Sequence, residues 1–81
     1  MSTYKDLINL FAKVNSPKEM ENLLNGILTP KEREELVQRI DIIKMLKAGI
    51  PHHEIAQKLG VGVATVTRGS KEIQKGNFKV V

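Results

Sequence analysis

The chain has 81 residues, enough for one small domain, and 25 of them are Ile, Leu, Val or Phe, which favours folding over disorder. It contains no cysteine, which excludes a disulfide scaffold and a metal-thiolate site. No apolar run approaches the ~20 residues that cross a bilayer, and no signal segment is present, so we expect a cytoplasmic protein without a membrane partner. A chain this short buries only roughly 60% of its unfolded surface, which favours oligomerisation.

The charge is unevenly distributed along the chain. Residues 1–40 carry six basic and six acidic side chains, whereas residues 41–81 carry seven basic and three acidic ones. The whole formal net charge of +4 therefore lies in the second half. This asymmetry favours a neutral half that assembles and a basic half that meets a polyanion, with an ordinary solvated basic face as the alternative.

Apolar side chains recur at helical spacing throughout, which predicts an all-α chain of five short helices. The first helix has about three turns and ends at residues 15–17. Its apolar stripe comprises Tyr4, Leu7, Ile8, Phe11 and Val14. In the second helix Ser16 is the expected N-cap, Pro17 the first residue and Glu19 the partner in a capping box. The side chains that it should bury are Met20, Leu23, Leu24 and Ile27.

The same N-terminal signal repeats 13 residues later, with Thr29 as N-cap, Pro30 at the first position and Glu32 as partner. The third helix should run from Pro30 to about Ala48 and stop at a left-handed Gly49. Its expected inward residues are Leu36, Val37, Ile40, Ile43 and Leu46. The apolar stripes of residues 3–48 exceed what one chain of this size can cover, so we expect these helices to form a homodimer.

Residues 52–75 fit a helix-turn-helix, with helices from about His52 to Leu59 and from Val63 to about Lys75. Ala56 gives the small side chain that a steep helix crossing needs, and Gly60 tolerates the positive φ of a tight turn. The expected buried wedge consists of Ile55, Leu59, Val61 and Val66. Residues 76–81 form a tail without a helical pattern, and no place is assigned to Phe78. An ordinary helical hairpin with a glycine turn is the alternative.

The second helix of this motif presents short side chains that suit a major groove, and its first turn offers free backbone N–H groups to phosphate. Two adjacent histidines at the start of the first motif helix should face phosphate or bases. The residues predicted to bind DNA are His52, His53, Gly62, Val63, Ala64, Thr67, Ser70 and Lys71.

Gly69 lies in the middle of this second helix, where glycine costs roughly 1 kcal/mol of helix propensity relative to alanine. Either a neighbouring chain packs closely there or a ligand occupies the vacant volume. Arg68 could hold an anionic group of such a ligand. Arg39 follows Glu35 by four residues, so a surface ion pair between them is the alternative to a role in a pocket.

Two segments resemble the signature blocks of a known family. Leu-Thr-Pro-Lys-Glu-Arg-Glu at residues 28–34 and Val-Ala-Thr-Val-Thr-Arg-Gly-Ser at residues 63–70 are similar to those of the Trp operon repressor family. The resemblance covers about residues 20–75. It implies an intertwined all-helical homodimer that binds operator DNA when L-tryptophan, the corepressor, occupies a pocket beside the reading helix.

The resemblance also implies which residues form that pocket. In the family the indole lies between two arginines, matched here by Arg39 and Arg68. The ligand carboxylate meets the second arginine and a threonine of the partner chain, matched by Thr29. Thr65 and Gly69 match further pocket residues, and Glu72 replaces a serine near the ligand amino group. A guanidinium can pair with a carboxylate and stack on an indole, which agrees with these assignments.

The sequence departs from the family at several positions. Gly26 replaces a leucine of the pocket, and the polar and basic DNA contacts of the first motif helix are matched by His52, His53 and Ala56. The turn between the third and fourth helices is one residue shorter, and residues 76–81 carry no further helix. A ligand-independent DNA-binding regulator of the same fold is therefore the alternative function.

Two other classes of protein are less favoured by the sequence. In a helical protein-interaction adaptor, the N-terminal stripes would bind a partner and the basic half would be incidental. An enzyme or a metal site would depend on the cluster from His52 to Glu54, but adjacent helical side chains diverge by about 100°. No third ligand lies nearby, and Ser70 has no neighbouring base.

Overall fold

The computed structural model describes residues 1–81 and contains five α-helices and no strand. The helices are α1 (Tyr4–Lys13), α2 (Pro17–Ile27), α3 (Pro30–Lys47), α4 (His52–Leu59) and α5 (Val63–Gln74). The all-α prediction is confirmed, and the ends predicted for α3, α4 and α5 agree to within about one residue, whereas α1 ends at Lys13, before the predicted residues 15–17. None of the helices is long and apolar enough to cross a membrane. Contacts divide the chain into two compact units, residues 1–33 and residues 34–81.

The first three helices begin at capping residues. The box predicted for α3 is complete, because the Thr29 N–H donates to the Glu32 carboxylate at 2.8 Å and the Glu32 N–H donates to the Thr29 hydroxyl at 3.2 Å. At α2 only half of the predicted box forms, since the Glu19 N–H donates to Ser16 Oγ at 3.1 Å without a return bond from Ser16. A box that the sequence analysis missed joins Thr3 and Asp6 at the start of α1.

We expect Thr29→Ala to lower the stability of the protein by about 1 kcal/mol, the usual cost of losing an N-cap. The Thr29 backbone N–H, followed by its side chain, holds the pKa of the Glu32 carboxyl below its ordinary value. A depressed pKa in the folded state contributes stability above the unfolded pKa, and this is lost as the pH falls through the folded pKa. Thr29→Ala keeps the backbone N–H and removes only the side-chain contribution to this pKa shift, so only that part of its effect should shrink in acid.

Thermal unfolding followed by circular dichroism at neutral and acidic pH checks this prediction. Thr29→Ser keeps the hydroxyl acceptor and serves as the matched control. An equal loss of stability for the Ser and Ala variants would contradict the capping role.

The core of residues 34–81 is small and lies where α4 and α5 meet the second half of α3. Its buried residues are Ile42, Ile55, Ala56 and Val66, with Met45, Leu46, Ile50, Leu59 and Val61 packed partly buried against them. The predicted wedge is thus present, with Ile55 and Val66 fully buried. Ala56 leaves room for the helix crossing that the sequence predicted.

The predicted inward face of α3 is partly wrong. Leu36 and Val37 are 40% and 62% exposed, whereas Ile42, which was not among the predicted inward residues, is only 2% exposed. Ile43 is buried as predicted, and Ile40 and Leu46 are half-buried. The apolar side chains of α3 are spread around the helix among charged ones instead of forming one stripe, so periodicity alone could not identify its core face.

The apolar stripes of α1 and α2 contain no buried residue within the single chain. Tyr4, Leu7, Ile8 and Ile27 are exposed, so the prediction that Ile27 is inward is wrong for one chain by itself. The other predicted members of these stripes are half-buried: Phe11, Val14, Met20, Leu23 and Leu24. A large apolar area of the first three helices is therefore uncovered in the monomer.

Left-handed glycines end α3 and α4 as predicted. Gly49 has φ 83°, and the N–H groups of Gly49 and Ile50 donate to the carbonyls of Leu46 and Met45, which is the Schellman pattern. Gly60 has φ 68°, a conformation costly for a residue with a Cβ, and it directs the chain into the short turn before α5.

Candidate functional site

A cavity of about 300 Å³ lies within residues 34–81, which is the lower end of the range for small-molecule sites. It is bordered by α3, by α5 and by the tail that follows α5. The lining residues are Arg39, Ile42, Ile43, Thr65, Arg68, Gly69, Glu72 and Phe78.

Five of the six predicted corepressor-binding residues border this one cavity: Arg39, Thr65, Arg68, Gly69 and Glu72. The sixth, Thr29, belongs to residues 1–33, where it caps α3. Their binding roles remain predictions, but their arrangement follows from helix geometry. The four residues of α5 are spaced i, i+3, i+4 and i+7, which places them on one face of the helix.

The residues predicted to bind DNA lie on other parts of α4 and α5. At about 100° per residue, Val63, Thr67 and Lys71 share a side of α5 that is rotated by about 120° from the side of Arg68 and Glu72. His53, Gly62, Val63, Ala64 and Lys71 are exposed, and His52, Thr67 and Ser70 are half-buried. No side chain caps the N-terminus of α5, so its first N–H groups are available to a phosphate.

Gly69 allows α5 to approach α3 closely. A Cβ at this position would lie 3.3 Å from Ile42 Cγ2, 3.3 Å from Ile43 Cδ1 and 3.5 Å from Leu46 Cδ1. From the sequence alone, this glycine predicts either a neighbouring chain or a ligand beside it. The structure shows a third cause, contact with α3 of the same chain, at a point that also borders the cavity.

The cavity carries charges of both signs. The two salt bridges of the chain join Lys18 with Glu21 and Lys75 with Glu72, so Arg39 and Arg68 have no ion pair. The surface pair between Glu35 and Arg39 that was the alternative does not form. Two unpaired guanidinium groups and the carboxylate of Glu72 therefore face a common space.

Glu72 is held in its ionised form. Its carboxylate accepts from Asn77 Nδ2 at 2.6 Å and from Lys75 Nζ at 3.2 Å. The bond from Asn77, followed by the one from Lys75, lowers the pKa of Glu72 below its ordinary value, and the charge of Arg68 adds to the effect. Glu72 thus presents a negative charge at the cavity under neutral and mildly acidic conditions.

Phe78 is a cavity residue that the sequence analysis left without a place. Lys47 Nζ donates to the carbonyl of Phe78 and, at 2.8 Å, to that of Val81. The one signal in the sequence was a single aromatic side chain in a tail whose other residues are Gly, Asn, Lys and two Val. Nothing in that signal indicated Lys47 as its partner.

Comparison with known proteins identifies relatives over nearly the whole chain. The family model described as "Trp repressor protein" matches residues 2–80. A Trp operon repressor homolog of Xylella fastidiosa (strain M23) is 36% identical over 77 residues, which is 94% of this chain and 84% of the relative. No solved structure matches the chain at a comparable level of significance.

Relatives from Vibrio match a shorter stretch at higher identity. The Trp operon repressor homolog of Vibrio vulnificus (strain YJ016) is 46% identical over 39 residues, and that of Vibrio cholerae is 44% identical over 39 residues. These matches span 47% of this chain and 38% of each Vibrio protein. Because the family model covers residues 2–80 and the Xylella relative aligns over almost the full length, the chain belongs to the Trp repressor family.

Proposed function

We propose that this protein is a sequence-specific DNA-binding transcriptional repressor, active as a homodimer, with L-tryptophan or a similar aromatic amino acid as corepressor. Membership of the Trp repressor family supports a transcriptional repressor. The observation that carries the corepressor is the cavity itself. It gathers five predicted binding residues behind the face of α5 that is predicted to meet DNA.

The chemistry of the cavity suits an aromatic amino acid. The Arg68 guanidinium can pair with a carboxylate, and Arg39 can stack on an aromatic face. The Glu72 carboxylate can accept from an ammonium group, and the apolar side chains of Ile42 and Ile43 can contact a ring. A zwitterion with an aromatic side chain is complementary to all of these groups.

The position of the cavity indicates how such a ligand would act. A ligand between α3 and α5 fixes the angle of the reading helix, α5, to the rest of its unit. The conformational entropy of α5 is then lost when the ligand binds and no longer opposes DNA binding. By linkage, operator DNA must tighten ligand binding by the same factor as the ligand tightens DNA binding.

The chain contains no tryptophan, so the fluorescence of added L-tryptophan reports binding directly. We expect saturable binding, and tighter binding when operator DNA is present. If millimolar tryptophan changed neither the melting temperature nor the operator affinity, the protein would be a ligand-independent DNA-binding regulator on the same fold.

Lys71→Ala and Thr67→Ala should weaken operator binding without unfolding the protein, because Lys71 is exposed and Thr67 is only half-buried. If Lys71 contacts a phosphate, its loss should reduce the slope of log affinity against log salt concentration by about one, because one fewer counterion is released on binding. Lys5→Ala removes the same charge from the neutral half and is the control. Mobility-shift titrations between about 50 and 200 mM salt measure both effects, and a salt-independent affinity would contradict the electrostatic contribution.

A dimer would place two reading helices on one operator. Helix-turn-helix dimers, Trp repressor among them, meet half-sites about 34 Å apart, and we transfer that spacing from the family to this chain.

Because the apolar stripes of α1 and α2 are uncovered in the monomer, we expect the melting temperature to rise with protein concentration. A species that sediments as a monomer at micromolar concentration and still melts cooperatively would contradict the dimer.

A further inference from the structure

The cavity has a third wall that the predicted ligand set does not include. α3 and α5 form two of its sides, and Phe78, 15 residues after the first residue of α5, borders it from the tail. Phe78 is half-buried, although its neighbours Asn77 and Lys79 are exposed. Phe78 is therefore covered in part by the fold, as are Gly76 and Val81 at the two ends of the tail.

The tail is held in place by both helices that form the cavity. Lys47, the last residue of α3, donates to the carbonyls of Phe78 and Val81. From the other side, Asn77 Nδ2 donates to the carboxylate of Glu72 on α5 at 2.6 Å. These bonds bracket Phe78 in the sequence and position its backbone beside the cavity.

Phe78 forms a wall of the cavity and does not fill it. With the ring in place the cavity still has about 300 Å³, which is within the range of small-molecule sites. A ligand can therefore bind without displacing the tail. It would then have an aromatic ring as one of its neighbours.

We propose that Phe78 contacts the ligand and selects for an aromatic side chain, and that Lys47 is the positioning residue that holds Phe78 there. This inference rests on the proposed corepressor. Aromatic rings in contact attract each other beyond their burial of area, whereas an aliphatic ligand gains only the burial. Phe78 thus favours tryptophan over an aliphatic amino acid of similar polarity.

The test compares ligand affinities of intact variant proteins. Phe78→Ala should weaken L-tryptophan binding about tenfold, and Phe78→Leu should weaken it less. The affinity for L-leucine, measured by calorimetry, should fall less in Phe78→Leu than the affinity for tryptophan does. The preference of the protein for tryptophan over leucine should therefore decrease. Val80→Ala is the matched control, since Val80 belongs to the same tail, is 97% exposed and does not border the cavity.

Lys47 is tested by substitution at the end of α3. Lys47→Met removes the donor and should weaken tryptophan binding and speed hydrogen exchange in residues 77–81. Lys47→Arg keeps a donor and should restore both. Lys44→Met removes an exposed lysine one turn earlier that has no bond to the tail, and it should change neither.

The outcomes separate this inference from the proposed function. Tryptophan binding in the wild type that is unchanged in Phe78→Ala and Phe78→Leu would overturn the role of Phe78 and leave the corepressor intact. A wild type that binds DNA but no aromatic amino acid would overturn the corepressor and the role of Phe78 together. If Phe78→Ala failed to fold, Phe78→Leu, which keeps most of the apolar volume, would decide the question alone.

Discussion

Arg68→Leu is expected to abolish the response to L-tryptophan while the fold is retained. Arg68 is exposed, borders the cavity and has no ion pair, so its removal leaves no buried partner unsatisfied. The ligand carboxylate would lose its cation, and charged hydrogen bonds of this kind contribute about 1.5–3 kcal/mol. We expect tryptophan affinity to fall by about tenfold to a hundredfold.

Fluorescence titration with tryptophan measures the loss, and mobility-shift assays with and without the ligand show whether operator binding still responds. Arg68→Lys keeps the charge without the planar fork and should retain part of the affinity. Lys58→Leu removes a positive charge that does not border the cavity and is the control. An Arg68→Leu protein that responds to tryptophan like the wild type would show that the ligand binds elsewhere.

Local chemistry explains why much of the fold could be predicted from the sequence. The box at Thr29 and Glu32 involves residues three apart, and the stop at Gly49 depends on one residue's backbone freedom. Such signals do not depend on the rest of the chain. The family resemblance also indicated five of the cavity residues, because four of them follow helical spacing along α5 and Arg39 matches a residue of α3.

Contacts between distant segments could not be predicted in the same way. The bond from Lys47 to the Phe78 carbonyl joins residues 31 apart, and neither residue belongs to a motif. The burial of Ile42 in place of Val37 depends on which side of α3 receives α4 and α5. When apolar side chains are spread around a helix among charged ones, several faces would serve equally well, so only the packed structure selects one.

Gly69 is a local signal in the sequence, and its contact with α3 is visible only in the packed structure. Its substitution has the second large expected effect. Gly69→Leu should both destabilise the protein and prevent tryptophan binding. The new Cβ would already lie 3.3 Å from Ile42 and Ile43, and the rest of the side chain must then enter the cavity or push α5 away from α3. Overpacking of this kind typically costs about 1–3 kcal/mol. For a domain of this size that corresponds to a fall in melting temperature of roughly 5–20 °C.

Alanine separates the backbone effect from the packing effect. In an open helical position, Gly→Ala stabilises by roughly 0.5–1 kcal/mol. A Cβ at Gly26 in α2 would have no atom within 4 Å, which makes Gly26 the matched control, so Gly26→Ala should raise the melting temperature at fixed protein concentration. At Gly69 the gain should be cancelled, because the buried Ile42 Cγ2 belongs to a stiff β-branched side chain that cannot easily move.

The two readouts together test whether α5 packs on α3 beside a ligand site. Melting temperatures of Gly69→Ala, Gly69→Leu and Gly26→Ala measure the packing, and tryptophan titrations of the two Gly69 variants measure the site. Gly69→Ala, which adds one methyl group between the helices, should keep most of its ligand affinity. A Gly69→Leu protein that melts and binds tryptophan like the wild type would contradict both the close approach of the helices and the location of the ligand between them.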